Sequence, residues 1–126
     1  MSATDLDDLS YAINGAIFEV NRVLGPGFME KVYENALCVE LEKRGLHAMA
    51  QYPIQVKYKG HAVGEYLADI VVENKVILEL KTVDELTTVH VAQLLNYLHA
   101  TQMPLGLLVN FKDKKAKIRR LTLNPE

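Results

Sequence analysis

The feature that most constrains the fold is a change of hydrophobic period near residue 50. From there to residue 83 the chain reads AQYPIQVKYKGHAVGEYLADIVVENKVILELKTV, which is rich in the β-branched and aromatic residues typical of strands. Two short segments, Lys59-Gly60 and Asn74-Lys75, supply the turns. We therefore predict an antiparallel meander of three strands, at about 50–58, 61–73 and 76–83.

Helical periodicity surrounds this meander. In the first 24 residues, apolar side chains recur at steps of three and four and predict one amphipathic helix. Gly25-Pro26-Gly27 ends that helix, because glycine adopts the left-handed C-terminal position and proline cannot continue the hydrogen-bond ladder. A second helix is predicted from Phe28 to Arg44, with Gly45 as its stop signal, and a third at about 87–101.

Two more strands follow the third helix. The segment LGLLVNF, residues 105–111, is continuously apolar, as expected of a strand buried on both faces. KAKIRRLTL alternates and predicts an edge strand after a turn at Asp113. The order is ααβββαββ, and the helix between two strands allows a parallel crossover. The sequence thus predicts a single α/β or α+β domain over residues 1–126, with a mixed sheet and helices packed on it.

Composition limits the functional classes. The net charge is −2 for 126 residues, so any nucleic-acid contact would have to be local, weak or helped by a partner. The single cysteine, Cys38, excludes an intrachain disulfide and a cysteine zinc site. No apolar run approaches the ~20 residues of a membrane span, and the acidic N-terminus lacks the basic start of a secretory signal. We therefore expect a cytoplasmic protein without membrane contact.

Charged residues interrupt two of the predicted apolar strands. Asp69 lies within YLADIVV, and Glu79 and Lys81 lie within VILELKTV, on one face of their strand. The turn at 74–75 sets Asp69 roughly opposite Leu80 or Lys81, and within a residue or two of Glu79. Two carboxylates and an ammonium are therefore predicted to converge. Mg²⁺ prefers such hard oxygen ligands, and it polarises a phosphodiester and activates water beside a catalytic lysine.

A simpler interpretation is a cross-strand salt-bridge cluster on a solvated face, and spacing alone favours it. The neighbours on the same face argue against it, because Leu67, Val71 and Ile77 are apolar and predict a buried face. Charges set singly among buried positions are costly unless they are paired or bind a metal.

The third predicted helix carries polar and aromatic residues beside its core face. His90, Gln93 and Tyr97 recur at steps of three and four. Gln93 could contact a cation's water or a substrate phosphate. The alternative is that these side chains only border the core, and for His90 alone this alternative is favoured.

The start of the second helix carries a comparable group. Gly27 precedes the helix, Glu30 lies in its first turn, where the helix dipole favours a carboxylate, and Tyr33 follows on nearly the same face. An acid at that position is also ordinary helix-start chemistry. The residues themselves leave both interpretations open.

Taken in order, the strand and helix residues resemble a known pattern. Asp69, then Glu79-Leu80-Lys81, then Gln93 with Tyr97 resembles the PD-(D/E)XK nuclease superfamily, which has an Asp, an E-x-K and a Q-x-x-x-Y. The likeness extends over most of the chain, from AIFEVNRVLGPGF to LGLLVNF. E-x-K alone is a weak signal, whereas the ordered set within one small domain is specific for the superfamily.

The helix-start residues add a finer resemblance. Gly27, Glu30 and Tyr33 match G-x-x-E-x-x-Y, the pattern of the bacterial GxxExxY proteins, a branch of the superfamily. The resemblance implies a restriction-endonuclease-like core that hydrolyses phosphodiester bonds in nucleic acid with Mg²⁺, or Mn²⁺, as its cofactor. It implies these metal ligands: Asp69, Glu79 and Glu30. It implies this catalytic set: Lys81, Glu79, Asp69 and Gln93. The supporting residues would be Tyr97, Tyr33 and His90.

The C-terminal segment KDKKAKIRR contains the basic cluster of the sequence. Four of its lysines are natural phosphate contacts: Lys112, Lys114, Lys115 and Lys117. Lysines that protect an edge strand would give the same pattern. We expect nucleic acid as the partner, DNA in preference to RNA, and leave a homodimer or a partner protein open. Two alternatives to a nuclease remain: a non-catalytic module of the same fold that binds nucleic acid or a partner, and an oligomeric structural protein.

Overall fold

The computed structural model of the chain describes residues 3–123, and its elements follow the predicted order. The helices are α1 Ala3–Leu24, α2 Glu30–Lys43 and α3 Thr88–Thr101. The strands are β1 Ala48–Tyr58, β2 His61–Val72, β3 Val76–Lys81, β4 Leu105–Asn110 and β5 Lys117–Thr122. None of the helices in this range combines the length and the apolar character that crossing a bilayer requires.

The described strands form one sheet in the order β1-β2-β3-β4-β5. β3 and β4 are parallel, with α3 as the crossover between them, and the other neighbouring pairs are antiparallel. β4 is buried along its whole length, as its continuous apolar sequence predicts. The mixed sheet flanked by helices confirms the predicted fold class.

Helices cover both faces of the sheet and enclose two hydrophobic cores. On one face, α1 and α2 pack against alternate residues of β3, including Leu78 and Leu80. On the other face, α3 packs against Ile77. Glu79 lies between Leu78 and Leu80, so alternation directs it to the α3 face. Glu79, which is predicted to be catalytic, thus lies under α3, in the central strand of the sheet.

The Gly-Pro-Gly segment turns the chain sharply between α1 and α2. Gly25 and Gly27 have positive φ values of 68° and 108°, which glycine adopts without a side-chain clash. The Tyr33 hydroxyl fastens the turn, because it donates to the Gly25 carbonyl at 2.6 Å and accepts from the Phe28 N–H at 3.3 Å. The chain stays extended after this turn, so α2 begins at Glu30 rather than at the predicted Phe28.

The β1–β2 hairpin changes face partway along its length. Val71 and Ala68 both pack in the core under α3, although strict alternation would direct these two residues to opposite faces. The change occurs between them, at Asp69 in β2 and at Gln51 in β1, which interrupts the register between Ala50 and Tyr52 and has a left-handed φ of 53°. The prediction that Leu67 lies on a buried face is wrong, because Leu67 lies beyond this change and is 51% exposed.

Candidate active site

Asp69 and Glu79 lie where β2 and β3 separate. The register pairs between these strands end at Ile70 with Leu78. Beyond that pair, the Asp69 N–H donates to Glu79 Oε2 at 2.8 Å, and the Leu80 N–H donates to Asp69 Oδ2 at 2.7 Å. Each carboxylate thus replaces a carbonyl partner that the opposite strand no longer supplies. The backbone itself holds the two acids together.

The predicted register of this hairpin is wrong by one residue. The last pair before the loop is Val72 with Val76, so three residues make the turn where the sequence suggested two. Two of the three adopt a left-handed φ of 55°. The extra residue brings Asp69 opposite Glu79, whereas the prediction set it opposite Leu80 or the residue after it.

Burial, together with the charges of neighbouring acids, raises the pKa values of both Asp69 and Glu79. Glu79 is 5% exposed, and its loss of hydration, followed by the charge of Asp69, raises its pKa from 4.5 to about 7. Loss of hydration also raises the pKa of Asp69, and the charge of Glu34 adds to this rise, while the Leu80 N–H acts in the opposite direction. Near neutral pH, Glu79 therefore exists in both protonation states.

Lys81 lies two residues beyond Glu79 in β3 and is half-buried. Its positive charge lowers the pKa values of Asp69 and Glu79, which partly offsets their loss of hydration. Within residues 3–123, its ammonium forms no hydrogen bond or ion pair. The lysine is thus close enough to act on both acids and remains able to contact a substrate.

Glu30 approaches the acid pair from the start of α2. Its Oε2 accepts the Thr82 N–H at 3.3 Å, and its charge raises the pKa values of Asp69 and Glu79. Among residues 3–123, however, no three His, Cys, Asp or Glu side chains form a group that could hold a metal ion. The structure brings Asp69 and Glu79 together and leaves Glu30 beside them, on a separate hydrogen bond.

A fourth acid at this place was missed by the sequence analysis. Glu34, one turn beyond Glu30 in α2, is 4% exposed, and its charge raises the pKa of Asp69. Its carboxylate accepts from Lys31 Nζ at 2.6 Å and from Gln51 Nε2 at 2.7 Å. The i,i+4 spacing from Glu30 was the available signal, since it places both acids on one side of α2.

α3 contributes Gln93 and Tyr97 to the lining of a cavity of about 860 Å³. Tyr97 is 6% exposed, and loss of hydration, followed by the charge of Glu79, raises its pKa to about 12. His90 instead caps α3: its side-chain Nδ1 accepts from the Thr87 backbone N–H at 3.0 Å, and the His90 backbone N–H donates to Thr87 Oγ1 at 3.4 Å. Tyr97 is thus electrostatically coupled to the acid pair, whereas His90 caps the N-terminal start of α3.

Tyr33 and the predicted basic cluster occupy other positions. Tyr33 is fully buried, and its ring stacks on Phe111 with a centroid distance of 4.4 Å. The cluster is exposed around the β4–β5 turn and contains Lys112, Lys114, Lys115 and Lys117. Lys112 pairs loosely with Asp84 at 3.7 Å and lines a pocket of about 300 Å³ with Thr82. The exposure of these lysines suits both phosphate contact and protection of an edge strand.

The mixed sheet and its helices define a nuclease-like fold, and the family comparison agrees. The sequence profile of the PD-(D/E)XK nuclease superfamily matches residues 7–121, and the chain belongs to this superfamily. Among solved structures, the chain resembles the one described as "Crystal structure of SSO0001", with a TM-score of 0.55 and 17% sequence identity, over 76% of this chain and 50% of that chain. This likeness concerns the fold alone, and the chain spans about half the length of that protein. No curated protein matches the sequence.

Proposed function

We propose that this chain is a divalent-cation-dependent nuclease domain that hydrolyses phosphodiester bonds in nucleic acid. The observation that carries the proposal is the pair of carboxylates on Asp69 and Glu79, fixed between neighbouring strands with Lys81 two residues further along β3. Membership of the PD-(D/E)XK nuclease superfamily supports it, because nucleases of this superfamily generally use divalent metals.

The donor set suits Mg²⁺ or Mn²⁺. Mg²⁺ is usually held by one or two carboxylates together with waters and substrate phosphate. Asp69 and Glu79 each commit one oxygen to a backbone N–H, which leaves the second oxygen of each for a cation. Glu30 is exposed and held by a hydrogen bond of 3.3 Å, and in this proposal it is the third acid that joins the cation when substrate binds. A cation held by these residues would polarise the phosphodiester and activate water for attack.

The chain's own residues have distinct tasks in this proposal. Glu79 must lose its proton before it ligates a cation, so its pKa of about 7 makes cation binding stronger as pH rises through neutrality. The Lys81 ammonium neutralises the negative charge that develops on the phosphate oxygens during cleavage. Gln93 and Tyr97 line the adjoining cavity and position the nucleic-acid strand.

The branch, the partner and the location are part of the same proposal. Gly27, Glu30 and Tyr33 fit the G-x-x-E-x-x-Y pattern, and we assign the chain to the bacterial GxxExxY branch on that basis. The partner is nucleic acid, with DNA preferred over RNA, and the exposed lysines of the β4–β5 turn contact its phosphates. We place this activity in the cytoplasm, in line with the sequence-based expectation.

A second candidate function has one observation in its favour. The carboxylates of Asp69 and Glu79 satisfy backbone N–H groups at a place where the strand ladder has ended. Backbone donors need partners in any stable fold, so both acids also serve a domain that binds nucleic acid or a protein and cleaves nothing.

A cleavage assay on single- and double-stranded DNA and RNA tests the proposal. Each substrate is incubated with Mg²⁺, with Mn²⁺ and with a chelator. We expect cleavage that requires the metal and that Glu79→Gln abolishes. Glu42→Gln, an exposed acid of α2, is the control and should cleave like the wild type. Binding without cleavage under every metal condition would favour the second candidate.

A further inference from the structure

A cavity of about 860 Å³ lies between α3 and the β1–β2 hairpin. Its lining includes Gln55, Lys57 and Tyr66 from the hairpin, and Gln93, Asn96 and Tyr97 from α3. The volume lies within the range of ligand sites, roughly 300–1,000 Å³. Glu79 shares a face of β3 with Ile77, which packs under α3 together with Tyr97, so the cavity lies on the same side of the sheet as Glu79. The charge of Glu79 acts on the Tyr97 hydroxyl, in agreement with this placement.

Two tyrosines form the aromatic part of the cavity. The ring centroids of Tyr66 and Tyr97 are 5.7 Å apart, with an interplanar angle of 48°. Tyr97 is buried and therefore fixed, whereas Tyr66 is 49% exposed. A planar group that enters the cavity can stack on Tyr66 while the Tyr97 ring holds Tyr66 in place.

The polar part of the lining suits a nucleobase. Gln55, Gln93 and Asn96 carry amide groups that both donate and accept hydrogen bonds, as the edges of bases require. Lys57 adds a positive charge for a phosphate. None of the described lining residues carries a carboxylate, although the chain has 16 acidic residues against 14 basic ones. The lining therefore favours a planar ligand that carries negative charge.

We propose that this cavity holds one unpaired base of the substrate strand, stacked on Tyr66, while the phosphate chain continues towards Asp69 and Glu79. The substrate class is then single-stranded nucleic acid, or a strand end that has separated from its duplex. A base inside a duplex could enter only after it had unpaired and unstacked. This inference rests on the proposed nuclease function and adds the strand form of its substrate.

The experiment compares two labelled strands of equal length by fluorescence anisotropy, in chelator so that cleavage does not interfere. One strand is oligothymidylate, and the other is the same phosphate–deoxyribose chain without bases. The wild type should bind oligothymidylate more tightly. Tyr66→Ala should lose roughly 5- to 100-fold of that affinity, the scale of one base stacked on an aromatic ring, and little affinity for the base-free chain. Tyr66→Phe keeps the ring and should bind both strands like the wild type.

Tyr58→Ala is the matched control. Tyr58 belongs to the same hairpin, is 63% exposed and lies outside the cavity lining. This variant should bind both strands like the wild type. Thermal melts establish that each variant is folded. If Tyr66→Ala does not fold, Tyr66→Leu replaces it, since leucine fills the space without offering an aromatic face.

Several outcomes would overturn the inference: equal binding of the two strands by the wild type, or a loss in Tyr66→Ala that is the same for both. Competition by thymidine monophosphate as strong as that by the oligonucleotide would indicate a free-nucleotide site, which also contradicts it. Cleavage with Mg²⁺ is recorded in parallel. A wild type that cleaves without base preference refutes the cavity inference alone. A wild type that binds oligothymidylate more tightly than the base-free chain but cleaves no substrate refutes the proposed function, and the inference that the cavity binds a base is retained.

Discussion

Glu30 and Thr82 join the start of α2 to the end of β3, because the Glu30 carboxylate accepts the Thr82 N–H at 3.3 Å. The contact places an exposed acid one residue beyond Lys81, where the chain leaves the acid pair. The Gly-Pro-Gly turn makes this contact possible, because it changes the direction of the chain just before α2 begins. A motif distant in sequence from β3 is thereby brought to the candidate site.

Replacing Glu30 by Gln should weaken cation binding and cleavage, while metal-free stability stays unchanged or rises slightly. Glu30→Gln keeps an oxygen for the Thr82 N–H and removes a charge that raises the pKa values of Asp69 and Glu79. Since a cation held only by the native state stabilises it, Mg²⁺ should raise the melting temperature of the wild type more than that of the variant. Thermal melts with and without Mg²⁺ measure this. Glu42→Gln is the control, and equal shifts in all three proteins would make Glu30 an ordinary helix-start residue.

Glu79 should make the metal-free protein less stable as pH rises from about 4.5 to about 7. In this window the native state holds the Glu79 proton more tightly than the unfolded chain does, so deprotonation favours unfolding. Glu79→Gln keeps an acceptor for the Asp69 N–H and removes the titration. The variant should match the wild type in acid and exceed its unfolding free energy by up to ~3 kcal/mol above neutral pH. Urea denaturation in chelator, at a series of pH values, measures the unfolding free energies of the wild type and the variant. A difference between these two free energies that does not change with pH would contradict the prediction.

Lys81→Ala should reduce cleavage by roughly 10²- to 10⁴-fold, the usual scale for loss of a positioned acid–base or charge-stabilising group. Its fold should persist, because the ammonium forms no hydrogen bond or ion pair within residues 3–123. Single-turnover rates at saturating Mg²⁺ measure the effect, with Lys43→Ala, an exposed lysine of α2, as the control. Unchanged rates in Lys81→Ala would remove this lysine from the mechanism.

Tyr33→Phe should lower the unfolding free energy by about 1–3 kcal/mol, because the Gly25 carbonyl loses its hydroxyl donor in a partly buried turn. The ring remains and keeps its stacking on Phe111. The midpoint of urea denaturation reports the change. Tyr58→Phe removes an exposed hydroxyl and should leave the midpoint in place. An unaltered midpoint for Tyr33→Phe would show that the turn does not depend on the hydrogen bond from the Tyr33 hydroxyl to the Gly25 carbonyl.

The order of elements could be predicted because it depends on local periodicity and residue type. β4 was recognisable from its unbroken apolar run, and Glu79 and Lys81 from charges within such runs. The details of the β1–β2–β3 meander depend instead on backbone conformations that the residue types do not require. Gln51 and Asn74 adopt left-handed φ although neither is glycine. The register and the exposure of Leu67 follow from these conformations and were therefore mispredicted.

Partners distant in sequence were a second limit. The buried Glu34 carboxylate is oriented by Gln51 in β1, whose Nε2 donates to it at 2.7 Å. Nothing in the local sequence of α2 indicates that contact. His90 is a different case, since Thr87 precedes it by three residues, as in a capping box. A histidine in place of the usual Glu or Gln hid that signal.

The hydrogen bonds that the Asp69 and Glu79 carboxylates accept from backbone N–H groups affect how the sequences of related proteins should be interpreted. A relative that does not cleave nucleic acid still needs a hydrogen-bond acceptor at both positions, because an apolar replacement would leave the N–H of Asp69 or of Leu80 unpartnered. Lys81 protects no such bond, so genetic drift would remove it first. In a lineage of such proteins, acceptors at the two acid positions are therefore markers of architecture, and under the proposed function it is the loss of the lysine that would record the end of catalysis.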